Sequence, residues 1–132
     1  MTRRTIASGT PWEPLVGYVR AVRVGRVVHV SGTTATDESG ALVGLGDPYS
    51  QAVQALANIA RALGAAGARM TDVVRTRIYV VDIDAWEAVG RAHAEALGDV
   101  RPATTMVEVR RLITPDVLVE IEAEAIVEDT DG

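Results

Sequence analysis

Glu120, Glu122 and Glu124 offer this chain its clearest acid–base chemistry, because a carboxylate of suitable pKa can take a proton from attacking water. A spacing of two puts all three on one side of a strand, where the same row would serve equally to pair with Arg75 and Arg77 or to face solvent. Ser31, Gly32, Thr33 and Thr34 bring hydroxyls and backbone amides together at a strand end. The run lacks the glycine spacing and the Lys-Ser or Lys-Thr of a Walker loop, so it is not a nucleotide-phosphate cradle. Tyr18 and Tyr79 each present a ring face and one hydroxyl, to a ligand or to packing. The chain has no cysteine, which removes thiolate nucleophiles, disulfides and cysteine metal sites together. His29 and His93 fall in different elements without zinc spacing, so no metal is expected. His93 has no acid or nucleophile partner from which a triad can be built and reads as a helix–sheet packing residue.

These side chains need elements to position them. Residues 8–14 contain Gly9, Pro11 and Pro14 and read as a loop, with Trp12 covering a cleft or anchoring the segment. Val16–Val24 and Val27–Ser31 are β-rich runs separated by Gly25-Arg26, a pair suited to a hairpin turn. Gly32–Asp47 has no sustained period and reads as a long connection. Asp47-Pro48 starts a helix: the Asp oxygen can cap free amides while Pro takes the first helical position. Tyr49, Ala52, Val53, Leu56, Ile59, Ala60 and Leu63 follow at helical spacing, and Gly64 or Gly67 ends the element. Val73–Val81 alternates, with Val74, Thr76, Ile78 and Val80 on one side and Arg75, Arg77 and Tyr79 on the other. Asp82 or Asp84 caps a second helix whose stripe is Trp86, Val89, His93 and Leu97, with Gly98 at its end. Ala103–Val109 is the next strand, Thr114-Pro115-Asp116 a turn, and Val117–Val127 the last strand, its apolar face unbroken. Glu128–Gly132 reads as a frayed end.

The order predicts an α+β fold: a hairpin, two helix–strand alternations and a closing hairpin, forming one mixed sheet with two helices on one face. The helices cover only one side. The other side, to which Tyr79, Thr104, Met106, Glu120 and Ile126 are assigned, mixes apolar, aromatic and charged groups as a subunit interface does.

At 132 residues the chain is expected to form a single domain over 1–132, and 48% apolar residues suffice for a packed core. Without phenylalanine, that core must draw mainly on Val, Ala, Leu and Ile. No run approaches the roughly 18 apolar residues of a membrane span, and Met1–Thr5 leads into no apolar signal core, so a cytoplasmic protein with no membrane partner is expected. A formal charge of −5 opposes broad binding to phosphate backbones, so no nucleic-acid partner is expected either.

In order and spacing, Gly17-Tyr18, Val30-Ser31-Gly32, Gln51-Ala52 with Asn58, Asp72-Val73-Val74, Tyr79-Val80, Arg101-Pro102-Ala103, Val107-Glu108-Val109 and Val119-Glu120-Ile121-Glu122-Ala123 resemble the RidA/YjgF family of reactive-intermediate deaminases, from about Ser8 to Val127. The resemblance implies a chorismate-mutase-like two-layer fold assembled as a homotrimer, with a small-molecule ligand bound in clefts between subunits. It implies hydrolysis of enamine or imine intermediates such as 2-aminoacrylate to keto acids and ammonia, without a metal or organic cofactor. It assigns the water-positioning carboxylate to Glu120 and cleft-lining, substrate-binding positions to Tyr18, Ser31 and Gly32; Thr33 joins them as a substrate-binding candidate from its hydroxyl and amide at the same strand end.

One departure bears on substrate. In such deaminases an arginine after Pro-Ala holds the substrate carboxylate, whereas this chain reads Pro102-Ala103-Thr104, with Met106 at a nearby family cysteine. A threonine hydroxyl cannot reproduce the two parallel charged bonds of guanidinium to carboxylate. Thr104 and Met106 are thus expected to line a less cationic pocket, with poor activity on 2-aminoacrylate and Arg77 as a candidate replacement cation. A noncatalytic trimeric binder or regulator is the alternative. Ribonuclease activity, attached to some relatives, finds no aromatic–basic platform here.

Overall fold

The computed structural model describes residues 2–128. Its strands are β1 (Arg3–Ile6), β2 (Ala21–Val24), β3 (Val27–Thr33), β4 (Val73–Val80), β5 (Ala103–Glu108) and β6 (Val119–Ile126), and its helices are α1 (Trp12–Val16), α2 (Pro48–Ala65) and α3 (Trp86–Leu97). The six strands form one mixed sheet in the order β1-β2-β3-β6-β4-β5, antiparallel except for the parallel pair β4–β5. The predicted mixed sheet with two main helices is the fold observed.

Asp47 caps α2 as its sequence signals, accepting from Tyr49 N at 3.1 Å and Ser50 N at 3.3 Å, with Pro48 leading the first turn. The helix runs through Gly64 and stops where Gly67 adopts a φ of +80°, a left-handed conformation that a Cβ disfavours. Arg23 Nη1 donates to the orphan carbonyl of Ala66 at 2.8 Å. The buried stripe of α2, including Ala52, Leu56, Ile59 and Leu63, packs on the sheet face formed by Val28, Val30, Ile78, Val80, Val119, Ile121 and Ala123. Ile59 and Leu63 of α2 are among the largest fully buried side chains, with Ala52, Ala55 and Ala62 between them on the same buried stripe.

Several expectations are corrected. Trp12–Val16 is a helical turn, and the strand begins only at Ala21, because Gly17 takes a φ of +90° and its N–H closes on Glu13 O at 2.9 Å. Arg3–Ile6 is an edge strand; only Ile6 is even half-buried, so it carried no alternating signal. The closing hairpin does not form. β5 lies at the far edge parallel to β4, and β6 inserts between β3 and β4, where its fully apolar face gains two neighbours. A register shift between Val73 and Arg75 buries Val73 and turns Val74 outward. Asp82 caps a short 3₁₀ turn ahead of α3, whose Val89 and Leu97 are buried while Trp86 stands 55% exposed. At the C-terminal end Glu128 lies in no regular element, and the rest of the expected frayed segment lies outside the described residues.

Among the described residues, no helix is long and apolar enough to cross a membrane. Nor do these residues contain a group of three or more His, Asp or Glu arranged to hold a metal ion.

Candidate functional site

The site grows from an irregularity in β3. Val30 pairs with Ala123 and Thr33 with Ile121, so Ser31 and Gly32 together oppose Glu122 in a bulge. The bulge lays Gly32 beneath the Glu120 side chain: a Cβ on Gly32 would stand 2.7 Å from Glu120 Oε2 and 3.0 Å from its Cδ. Glycine is required here for space rather than for backbone conformation, since Gly32 is not in the left-handed region. The Gly32 carbonyl, freed from the ladder, accepts from Arg20 Nη1 at 2.6 Å.

Arg20 is the centre of a network that the sequence did not reveal. Its Nη1 also donates to Thr33 Oγ1 at 3.2 Å and its Nε to Ser8 Oγ at 3.3 Å. Its guanidinium carbon lies 5.6 Å from the Tyr18 ring centroid, and Nη2 stands 3.9 Å from Glu13 Oε2. Glu13 is itself buried and bonded by Ser8 and Thr10; burial alone would raise its pKa, but these hydrogen bonds outweigh it and hold the carboxyl below its ordinary value. The short helix α1 thus serves to place a buried anion against Arg20. Locally, Arg20 could not be told from the chain's other arginines.

Glu120 differs from its row. Glu122 accepts from the Tyr79 hydroxyl and Glu124 from Arg77 Nη1 at 2.9 Å, while Glu120 makes no hydrogen bond among the described residues. Burial raises its pKa, Arg20 pulls it down, Glu122 adds to the rise, and the balance lies above the usual carboxylate value. A half-buried carboxylate left unbonded is a proton acceptor available to something else.

Glu120, Gly32, Thr33, Tyr18 and Arg20 line a cavity of about 770 Å³. Its outer wall comes from Trp12, Val16 and Ile113, which are partly exposed, and from the connection after β3. That connection is ordered by Asn58 of α2, whose Nδ2 donates to Thr34 O at 3.0 Å and Thr36 O at 2.8 Å. Buried Gln51 similarly ties the segment before β6 to α2, donating to Asp116 O at 2.9 Å and accepting from Leu118 N at 2.9 Å.

Ser31 stands beside the cavity, its hydroxyl turned to Val19 O at 2.7 Å. Thr104 and Met106 do not share the Glu120 face. Parallel pairing sets Thr104 beside Thr76 and Met106 beside Ile78, which face the helices, whereas Glu120 pairs with Tyr79 on the opposite face. The register, set by the β4–β5 pairing, decides this; counting along one strand could not. Thr104 Oγ1 lies 2.8 Å from Thr76 Oγ1, and Thr76 Oγ1 in turn lies 2.8 Å from His93 Nε2. Burial lowers the His93 pKa, which favours the neutral ring in that packing position. Arg77, held between Glu124 and Glu122, is absorbed in the charge row and does not line the cavity.

Gly32→Ala is expected to lower whatever turnover Glu120 supports by about a hundredfold, since displacement of a reacting group by about 1 Å has a cost of that order. The clashing atoms are the mobile end of a side chain, so a melting curve should move by only a few degrees. Full turnover in this variant would show that the carboxylate does not work where it lies over Gly32.

The endoribonuclease L-PSP family model matches residues 9–127. RutC of Acinetobacter baylyi, named 3-aminoacrylate deaminase, is 35% identical over 120 residues, covering 91% of this chain and 94% of its own. The crystal structure of Rv2704 from Mycobacterium tuberculosis, a member of the YjgF/YER057c/UK114 family, is 51% identical with a TM-score of 0.87, covering 96% of this chain and all of that one. The E. coli YjgF gene product is 31% identical with a TM-score of 0.83, covering 95% and 99%.

Proposed function

This chain belongs to the endoribonuclease L-PSP family, the RidA/YjgF proteins, and on that premise we propose that it is a cofactor-independent hydrolase of imine-like small molecules, acting in the cytoplasm from clefts between the subunits of a homotrimer. The observation that carries the reading is Glu120: an unbonded, half-buried carboxylate of raised pKa, laid over Gly32 in a cavity large enough for a metabolite. That a relative is named for deaminating 3-aminoacrylate supports the same reaction class.

The chemistry balances with water alone. Glu120 takes a proton from water as its oxygen adds to the C=N carbon, and passes it to the nitrogen, which receives the C=N electron pair. The resulting carbinolamine loses ammonia as its hydroxyl oxygen forms the C=O bond and the hydroxyl proton passes, through Glu120, to the leaving nitrogen. Imine and water become ketone and ammonia, with no change in overall oxidation state.

The subunit cleft is supported by one feature: the sheet face bearing Arg77, Tyr79, Glu122 and Glu124 is the one that α2 and α3 leave uncovered, and these side chains stay part-exposed in the single chain. The expected result by light scattering at micromolar concentration is about three chain masses; a monomer would remove the shared cleft. The catalytic reading is tested by generating 2-imino acids with an amino-acid oxidase and following 2-oxo acid release. No acceleration across a panel of side chains would leave the family fold as a noncatalytic binder.

A further inference from the structure

We propose that Arg20 is the anion anchor of this site, presenting Nη2 to the carboxylate of a 2-imino acid whose C=N carbon lies beside Glu120. The inference rests on the hydrolase reading for the reaction and on independent geometry for the anchor. The Arg20 side chain is only 10% exposed, and three of its hydrogen bonds use Nε and Nη1. Nη2 makes no hydrogen bond among the described residues, and its ion-pair partner Glu13 stands 3.9 Å away.

A buried guanidinium edge normally finds acceptors, because leaving a charged donor unpaired is costly. Among the described residues, Arg20 Nη2 is not one of the fully buried side-chain atoms left without a partner, and Arg20 is one of the residues that line the cavity. Arg20 and Glu120 also converge on one residue, the first bonding the Gly32 carbonyl and the second lying over its Cα. A carboxylate held at Nη2 would therefore bring its adjacent carbon toward the carboxylate base. Ser8, Thr33 and Glu13 fix the guanidinium plane, so the anchor is pre-organised and needs no rearrangement to receive an anion.

Within the imine class of the proposed function, the anchor sets a preference for imines that carry a carboxylate, held through a single charged edge, over neutral imines. The experiment uses pyruvate, an unreactive 2-oxo acid of the same shape, against its neutral amide, pyruvamide, with binding followed by NMR. Wild-type protein should bind pyruvate at least about tenfold more tightly than pyruvamide, the size of one charged hydrogen bond. Arg20→Gln should erase that preference and Arg20→Lys should restore part of it. In the wild type, the Arg20 guanidinium nitrogen signals should shift with pyruvate and not with pyruvamide, a readout that survives if Arg20→Gln fails to fold. Equal affinity of wild type for the two ligands, an undiminished preference in Arg20→Gln, or unmoved Arg20 signals would overturn the anchor. Because none of these readouts needs turnover, pyruvate preference without imine hydrolysis would retire the catalytic reading and leave the anchor standing. Hydrolysis without the preference would do the reverse.

Discussion

Glu120→Gln is expected to lower imine hydrolysis by about two to four decades, the usual contribution of a positioned general base. The amide keeps the shape that fits over Gly32 and loses only the ability to accept the proton of water. Because the wild-type carboxylate is half-buried and unbonded, removing its charge should leave the melting temperature unchanged or slightly raised. The wild-type pH profile supplies a second check. A base works when deprotonated, so turnover should rise with pH, and the midpoint should lie above the usual carboxylate value because burial disfavours the charged form. The corresponding stability term has the opposite sense: with its folded pKa raised, Glu120 favours the folded state below its ordinary pKa, and that contribution is lost as pH rises through the folded value. Turnover undiminished in Glu120→Gln would return the residue to the structural charge row of Glu122 and Glu124.

Slow deamination of 2-aminoacrylate by the native protein is the second large effect expected. Thr104 follows Pro102-Ala103, its hydroxyl is engaged with Thr76, and it cannot form the paired charged bonds of a guanidinium fork. Arg20, if it anchors substrate, has only its Nη2 edge to give, since Nε and Nη1 are committed to Ser8, Gly32 and Thr33. The difference is at least one charged hydrogen bond, about 1.5–3 kcal/mol. At 1.4 kcal/mol per decade, this is about one to two decades in rate. The measurement generates 2-aminoacrylate enzymatically from serine and follows pyruvate release, with an arginine-containing relative as positive control. Acceleration equal to that relative would defeat the expectation. Arg77 would not be the first residue to suspect, because Glu122 and Glu124 already hold it; Arg20 would.

The elements most legible in the sequence were those whose signal is local. Asp47-Pro48 announced α2 because capping is a short-range hydrogen bond, and strict alternation from Val119 to Ile126 announced β6 because one side of that strand is wholly buried. The same alternation placed Glu120, Glu122 and Glu124 on one face. Where local signal was weak the reading failed: β1 is exposed on an edge, α1 is one turn, and the shift at Val74 follows from pairing with a neighbour.

The amino-acid sequence by itself determined the elements around the core, the carboxylate row and the family resemblance, since periodicity, caps and motif spacing are properties of adjacent residues. The resemblance singled out Glu120 from its row; only the tertiary structure decided that it stands unbonded and which cation lies near it. Glu120 is left unbonded because Tyr79 and Arg77, one strand away, take Glu122 and Glu124. Arg20 reaches the cavity because a bulge 12 residues later frees the Gly32 carbonyl, and Thr104 turns from Glu120 because β5 joins β4 in parallel. Each of these outcomes depends on register between strands distant in sequence, and a shift of one residue would exchange the faces on which all these side chains lie.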